Sequence, residues 1–223
     1  MRWEYSFSLG RVGSLERKIV PKSLLEGLVL SDFKKALGEL KDYFFTYQEP
    51  GDFDSISIWL DKEEMFLKNI CSSLVEEDLK IFFGDIFESR KIDCLKDFSL
   101  YLELLFGIEN SLRASFFGMK RKEIFLREKE KMLPFYKDIE SFYSEVKKIF
   151  KEGKVFLLDF LTEKYILKFW EKRRVFLPLS FNSVIFFFFA KRLNLKVVKF
   201  LLFYLFFKLN PEKIKEVIKL VYG

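Results

Sequence analysis

The chain has 223 residues, half of them hydrophobic and 30 of them phenylalanine, so one large domain or two small ones can form around a full apolar core. It has a formal net charge of +6, no histidine and only two cysteines, which excludes imidazole acid–base chemistry, Ser-His and Cys-His nucleophilic pairs, histidine metal ligation and a disulfide framework. With 10 glycines and 5 prolines, a turn-rich β-barrel is disfavoured and helices are favoured.

Taken in order, the first helix is expected from about Trp3 to Ile19. There Tyr5, Leu9, Val12, Leu15 and Ile19 recur at steps of three and four, and Pro21 ends the run. Lys22 to Leu30 reads as a short second helix. Ser31 is the expected N-cap of a third, with Phe33, Ala36, Leu37 and Leu40 facing inward. Tyr47 to Ser57 contains the Pro-Gly turn and reads as a loop. Helix resumes near Asp61, and Ser73 to Glu76 has capping-box form. A long helix from Asp93 to Phe117 carries Leu95, Phe98, Leu102, Leu105, Leu112 and Phe116 on a nearly heptad stripe interrupted by Glu109, the pattern of an antiparallel bundle.

Met119 to Leu133 is heavily charged and reads as a solvated helix, with a basic contact surface as the functional alternative. Helices follow from Phe135 to Phe150, with Ile139, Phe142, Val146 and Phe150 on one face, and from Val155 to Trp170. The final stretch, Phe181 to Tyr222, is saturated with Phe, Leu and Val but cut by Lys191, Arg192, Lys196, Lys199 and Lys208. No run in it approaches the roughly 20 apolar residues of a bilayer span. Arg192, Lys196 and Lys199 are spaced to share one helical face. The stretch is therefore expected to form two packed helices joined by a basic turn, then a third helix. The whole reads as a single all-α domain, 1–223, of about nine or ten helices in antiparallel pairs.

Charge divides the chain unevenly. Residues 1–118 carry 15 basic and 21 acidic side chains, a net of −6, and residues 119–223 carry 24 and 12, a net of +12. If the halves, as sub-repeats of about 1–118 and 119–223, stay apart in space, they form an acidic and a basic pole; the plainer reading is a set of solvated helix faces. The N-terminus lacks the apolar core and cleavage site of a secretory signal, so cytoplasmic residence is expected. No glycine-rich phosphate loop is present. Glu63-Glu64 and Glu76-Glu77 lie in charged helical stretches and read as solvated pairs rather than a carboxylate dyad. No catalytic residue, cofactor or metal site is expected.

Two blocks carry a family resemblance. Near the N-terminus, Tyr5, Arg11, Val12, Leu15, Glu16, Ile19, Val20, Lys22, Leu24, Ala36, Leu37 and Leu40 stand in the order found in the C/d-type central-stalk adaptor family of V-type and A-type rotary ATPases. The C-terminal block resembles the end of the same family at Ala190, Lys191, Lys199, Pro211, Glu212, Ile214, Glu216, Val221 and Tyr222. Asn194 stands where that family often has Glu, Val197-Val198-Lys199 replaces Asn-Leu-Arg, and the chain is shorter than typical members. Between the blocks, Glu109 to Ala114 looks like a helix of a related family found with bacterial V-type ATPases.

The resemblance implies a funnel-like helical bundle at the cytoplasmic face of the membrane. It implies a non-catalytic central-stalk subunit with two partners, the rotating shaft subunits and the membrane proteolipid ring, between which it transmits torque for ion transport. Arg11, Arg192, Lys196 and Lys199 are the candidate interface residues. Two other readings stand beside it. One is a peripheral scaffold that binds anionic lipid through the basic C-terminal half. The other is a nucleic-acid-binding helical domain, disfavoured because no helix-turn-helix or aromatic-basic interleaving stands out.

Overall fold

The computed structural model describes residues 10–86, 91–118, 135–176 and 181–223. Among these residues the chain is helical, without strand. Helix α1 covers 10–16. It is followed by α2 (Lys22–Leu28), α3 (Phe33–Leu40), α4 (Phe53–Ser73), α5 (Glu77–Gly84), α6 (Lys96–Phe116), α7 (Tyr136–Lys151), α8 (Leu158–Phe176), α9 (Phe181–Phe206) and α10 (Glu212–Tyr222). The charged Met119 to Leu133 segment and the first part of the expected N-terminal helix lie outside the described residues.

α9 is the axis of the fold. It is apolar on nearly every side, and a helix of that kind is stable only when surrounded. It packs most extensively on α8 and α4, with α3 and α10 also against it. The expected basic turn within this stretch does not form: Phe181–Phe206 is one continuous helix of 26 residues. No glycine or proline interrupts it, and Lys and Arg are good helix formers. Of the cations that looked like a break, Arg192, Lys196 and Lys199 meet carboxylates on neighbouring helices, and Lys191 meets backbone carbonyls.

Smaller departures have local causes. α4 begins at Phe53, well before Asp61, because Asp52 and Ser55 form a reciprocal capping box immediately after the Pro50-Gly51 turn. The cap of α3 is Asp32, whose side chain accepts from the Lys35 amide at 2.9 Å. Ser31 instead donates to the Leu28 carbonyl. The Ser73 to Glu76 box does not form. Ser73 closes α4 by donating back to Ile70, and Glu76 precedes α5 without a side-chain cap. α8 continues past Trp170 through Lys172, Arg173 and Arg174 to Phe176.

One hydrophobic core collects side chains from all ten helices, from Val12 to Ile218. Its densest part is an aromatic layer among α5, α6, α8 and α9. Phe98 lies 4.9 Å from Trp170, Tyr101 stacks on Phe169 at 4.9 Å, and Phe82 meets Phe189 at 6.0 Å between ring centres. Edge-on and offset aromatic pairs of this kind each add roughly 0.5–1.5 kcal/mol beyond area burial. The expected stripe of α6 is buried at Leu95, Phe98, Leu102 and Leu105, but Phe116 at its end is exposed. Because α9 and α8 pack against α4, α3 and α6, the described parts of the acidic and basic halves pack against one another. Ion pairs join them, among them Arg174–Glu16 and Arg173–Asp97.

Candidate functional site

The polar heart of the molecule lies where α9 crosses α4 and the segment after α1. Lys191 is completely buried. Its Nζ donates to the Lys18 carbonyl at 2.6 Å and the Tyr43 carbonyl at 2.7 Å, and lies over the rings of Phe44 and Phe45. Burial pushes its pKa down from 10.5 to about 8; the Glu63 charge resists that fall and the Lys18 charge adds to it. Glu63, on α4, is equally buried. Its carboxylate accepts from the amides of Phe45 and Thr46 and from the Thr46 hydroxyl, all at 2.8–3.0 Å. The expectation that Glu63 is a solvated surface acid is therefore wrong. Helical periodicity aims it at the turn after α3, and the turn's free backbone donors make burial of the charge tolerable.

One turn further along α9, Asn194 joins the two ends of the chain. Its Oδ1 accepts from the Val20 amide at 3.0 Å. Its Nδ2 donates to the Val20 carbonyl at 3.0 Å and to the Tyr222 hydroxyl at 2.8 Å. Val20 precedes Pro21, so its backbone leaves helical geometry and its polar groups need partners. A primary amide supplies one acceptor and two donors, matching that need. Burial pushes the Tyr222 phenol up to about 12. Lys22 also reaches the Tyr222 carbonyl, at 3.4 Å.

Arg192, Lys196 and Lys199 share one face of α9, as their spacing predicts, and all three meet carboxylates of the fold. Arg192 lies 3.3 Å from Glu163 and 3.8 Å from Glu64. Lys196 bonds Glu163 at 2.8 Å and Lys199 pairs with Asp61 at 3.3 Å. Glu163 is only 5% exposed, so these cations offset the cost of burying its carboxylate. Its second oxygen, and Arg192 Nε, are buried without a hydrogen-bond partner. Arg11 lies on α1 with an exposed side chain and forms no ion pair among the described residues. The structure thus brings three of the four candidate interface residues together and leaves Arg11 on another helix.

Sequence reasoning missed Glu63 and gave Lys191 and Asn194 no role beyond motif positions. One signal was available: a lysine and an asparagine embedded in an otherwise apolar helix each require an internal partner.

Among the described residues, no cluster of three or more acidic or cysteine side chains is placed to hold a metal. Cys71 is buried, with burial pushing its thiol pKa up, and Cys94 is exposed; both are free thiols. No described helix is long and apolar enough to cross a membrane. Comparison with protein-family models, with curated proteins and with solved structures finds no match to this chain.

Proposed function

We propose that this chain is a non-catalytic subunit of the central stalk of a V-type or A-type rotary ATPase, seated peripherally between the rotating shaft and the membrane proteolipid ring. The observation that carries this reading is the meeting of the two resembling blocks at Asn194. Val20 from the N-terminal block and Tyr222 from the C-terminal block bond the same side chain, across 174 residues of sequence for Val20. Lys191 and Lys22, both matched positions, bridge the same two ends. A likeness arising from helix composition alone gives no reason for matched positions to assemble.

A subunit that transmits torque needs stiffness, and a close-packed core shared by every helix resists shear. It also needs surfaces rather than a reaction centre, and the polar clusters described above are all engaged in holding the fold. The lipid-scaffold alternative draws no support from Arg192, Lys196 and Lys199, whose charges are met internally.

Depleting the protein from cells tests the proposal. The expected result is a rotary ATPase whose shaft and ring separate and whose ATP turnover no longer drives ion transport. An enzyme that assembles and pumps normally without this chain overturns it.

A further inference from the structure

At the far end of α9, away from the internally paired cations, the surface opens into an apolar groove of about 760 Å³ between the C-terminus of α9 and the α2–α3 junction. Val29, Leu30 and Phe33 form one wall, and Phe206 and Leu209 the other. Leu30 is 77% exposed and Leu209 43%, so large aliphatic side chains of this groove stand open to water. Single exposed leucines are ordinary, but a contiguous apolar concavity marks a docking surface.

The rim identifies the occupant. Lys34 and Lys208 flank the groove, and neither has an ion-pair partner among the described residues. One carboxylate, Asp32, also lies on the rim and caps α3, so the two lysines leave the rim positive by one charge. Lys208 also holds a left-handed backbone conformation, φ 51°, at the position that ends α9. Glycine is favoured there, because a Cβ crowds the following carbonyl oxygen.

We propose that this groove receives an amphipathic segment of a partner protein, with apolar residues recurring every three or four positions and carboxylates flanking them to meet Lys34 and Lys208. A concave site suits a protruding row of side chains better than a flat bilayer surface does. A second copy of this chain would set two lysines against two, with only Asp32 on each rim to offset them. The inference is independent of the stalk reading, since any acidic amphipathic partner satisfies it.

The test places a photo-crosslinking benzoylphenylalanine at position 30 of the full chain in its native cells and sequences the crosslinked peptide. The expected product is a helical-period apolar peptide flanked by Asp or Glu. Its yield should fall at least tenfold when Lys34→Glu and Lys208→Glu are combined, and persist in Lys34→Arg with Lys208→Arg. Crosslinking to lipid, to a second copy of this chain or to a peptide without flanking carboxylates overturns the proposal. So does a yield no greater than that of unirradiated protein, or one indifferent to the Glu substitutions. The parent protein of the peptide reports separately on the proposed function. A partner foreign to a rotary ATPase leaves the groove standing and counts against the stalk reading.

Discussion

Lys191 and Glu63 hold the turn after α3 from opposite sides: the lysine takes the Tyr43 carbonyl and the glutamate takes the Phe45 and Thr46 amides. A cation from α9 and a carboxylate from α4 are thus buried together without direct contact, each satisfied by backbone. The arrangement fixes the N-terminal third of the chain onto the central helix, and its charge balance makes it sensitive to substitution and to pH.

The pH effect has a definite sign. Lys191 has a folded-state pKa lowered from 10.5 to about 8, so the unfolded chain binds its proton more tightly and stability from this group is present above 10.5 and lost as pH falls towards 8. Glu63 on α4 and Lys18 after α1 are the charged groups that act on it. Relative to Lys191→Met, the wild-type protein should gain roughly 3 kcal/mol between pH 8 and 10.5. Urea unfolding of both proteins across that range checks this; a constant difference contradicts it.

Asn194→Ala removes one acceptor and two donors and leaves the buried Val20 amide and carbonyl unpaired. The expected loss is about 2–4 kcal/mol. Asn194→Asp should recover only part of it, because a carboxylate can accept from the Val20 amide but cannot donate to its carbonyl. Denaturant midpoints of the two variants should therefore rank wild type, Asp, Ala.

The cationic face of α9 divides into a structural part and a dispensable part. Glu163 is buried beneath Arg192 and Lys196, and Glu163→Ala should cost about 2–4 kcal/mol by stranding two partly buried cations. Asp61 and Lys199 are both well exposed, so Asp61→Asn should fall within about 0.5 kcal/mol of wild type. Thermal unfolding of the two variants distinguishes them, and equal effects would mean that burial is not what sets the strength of these pairs.

Lys208→Gly relieves the left-handed conformation at the end of α9. Stability should rise by about 1 kcal/mol while partner capture at the groove weakens. A variant that is no more stable than wild type would show that the backbone at this position is not strained.

Helix existence was legible in the sequence wherever a stripe met a single partner face. The faces of α6 and α7 were read directly from Leu95, Phe98, Leu102 and Ile139, Phe142, Val146. α9 was misread as two helices because its charges looked like a break, and nothing local reveals that Glu163, Glu64 and Asp61 come to meet them from two other helices. Glu63 looked like its solvated neighbour Glu64, yet the one-residue step turns it inward. The caps moved for a similar reason: Asp32 and Asp52 compete locally with nearby serines, and the backbone geometry of each turn decides between them. Asn194 drew notice only as a departure from a motif, because its partners Val20 and Tyr222 lie at the two ends of the chain.

The central claim is best tested by a native pull-down of tagged protein from gently solubilised membranes, with mass spectrometry of what comes with it. Rotary ATPase shaft and proteolipid ring subunits should be recovered with it at near-equal stoichiometry to the complex. Recovery of lipid or nucleic acid without those subunits, or of the free chain alone, would contradict the account.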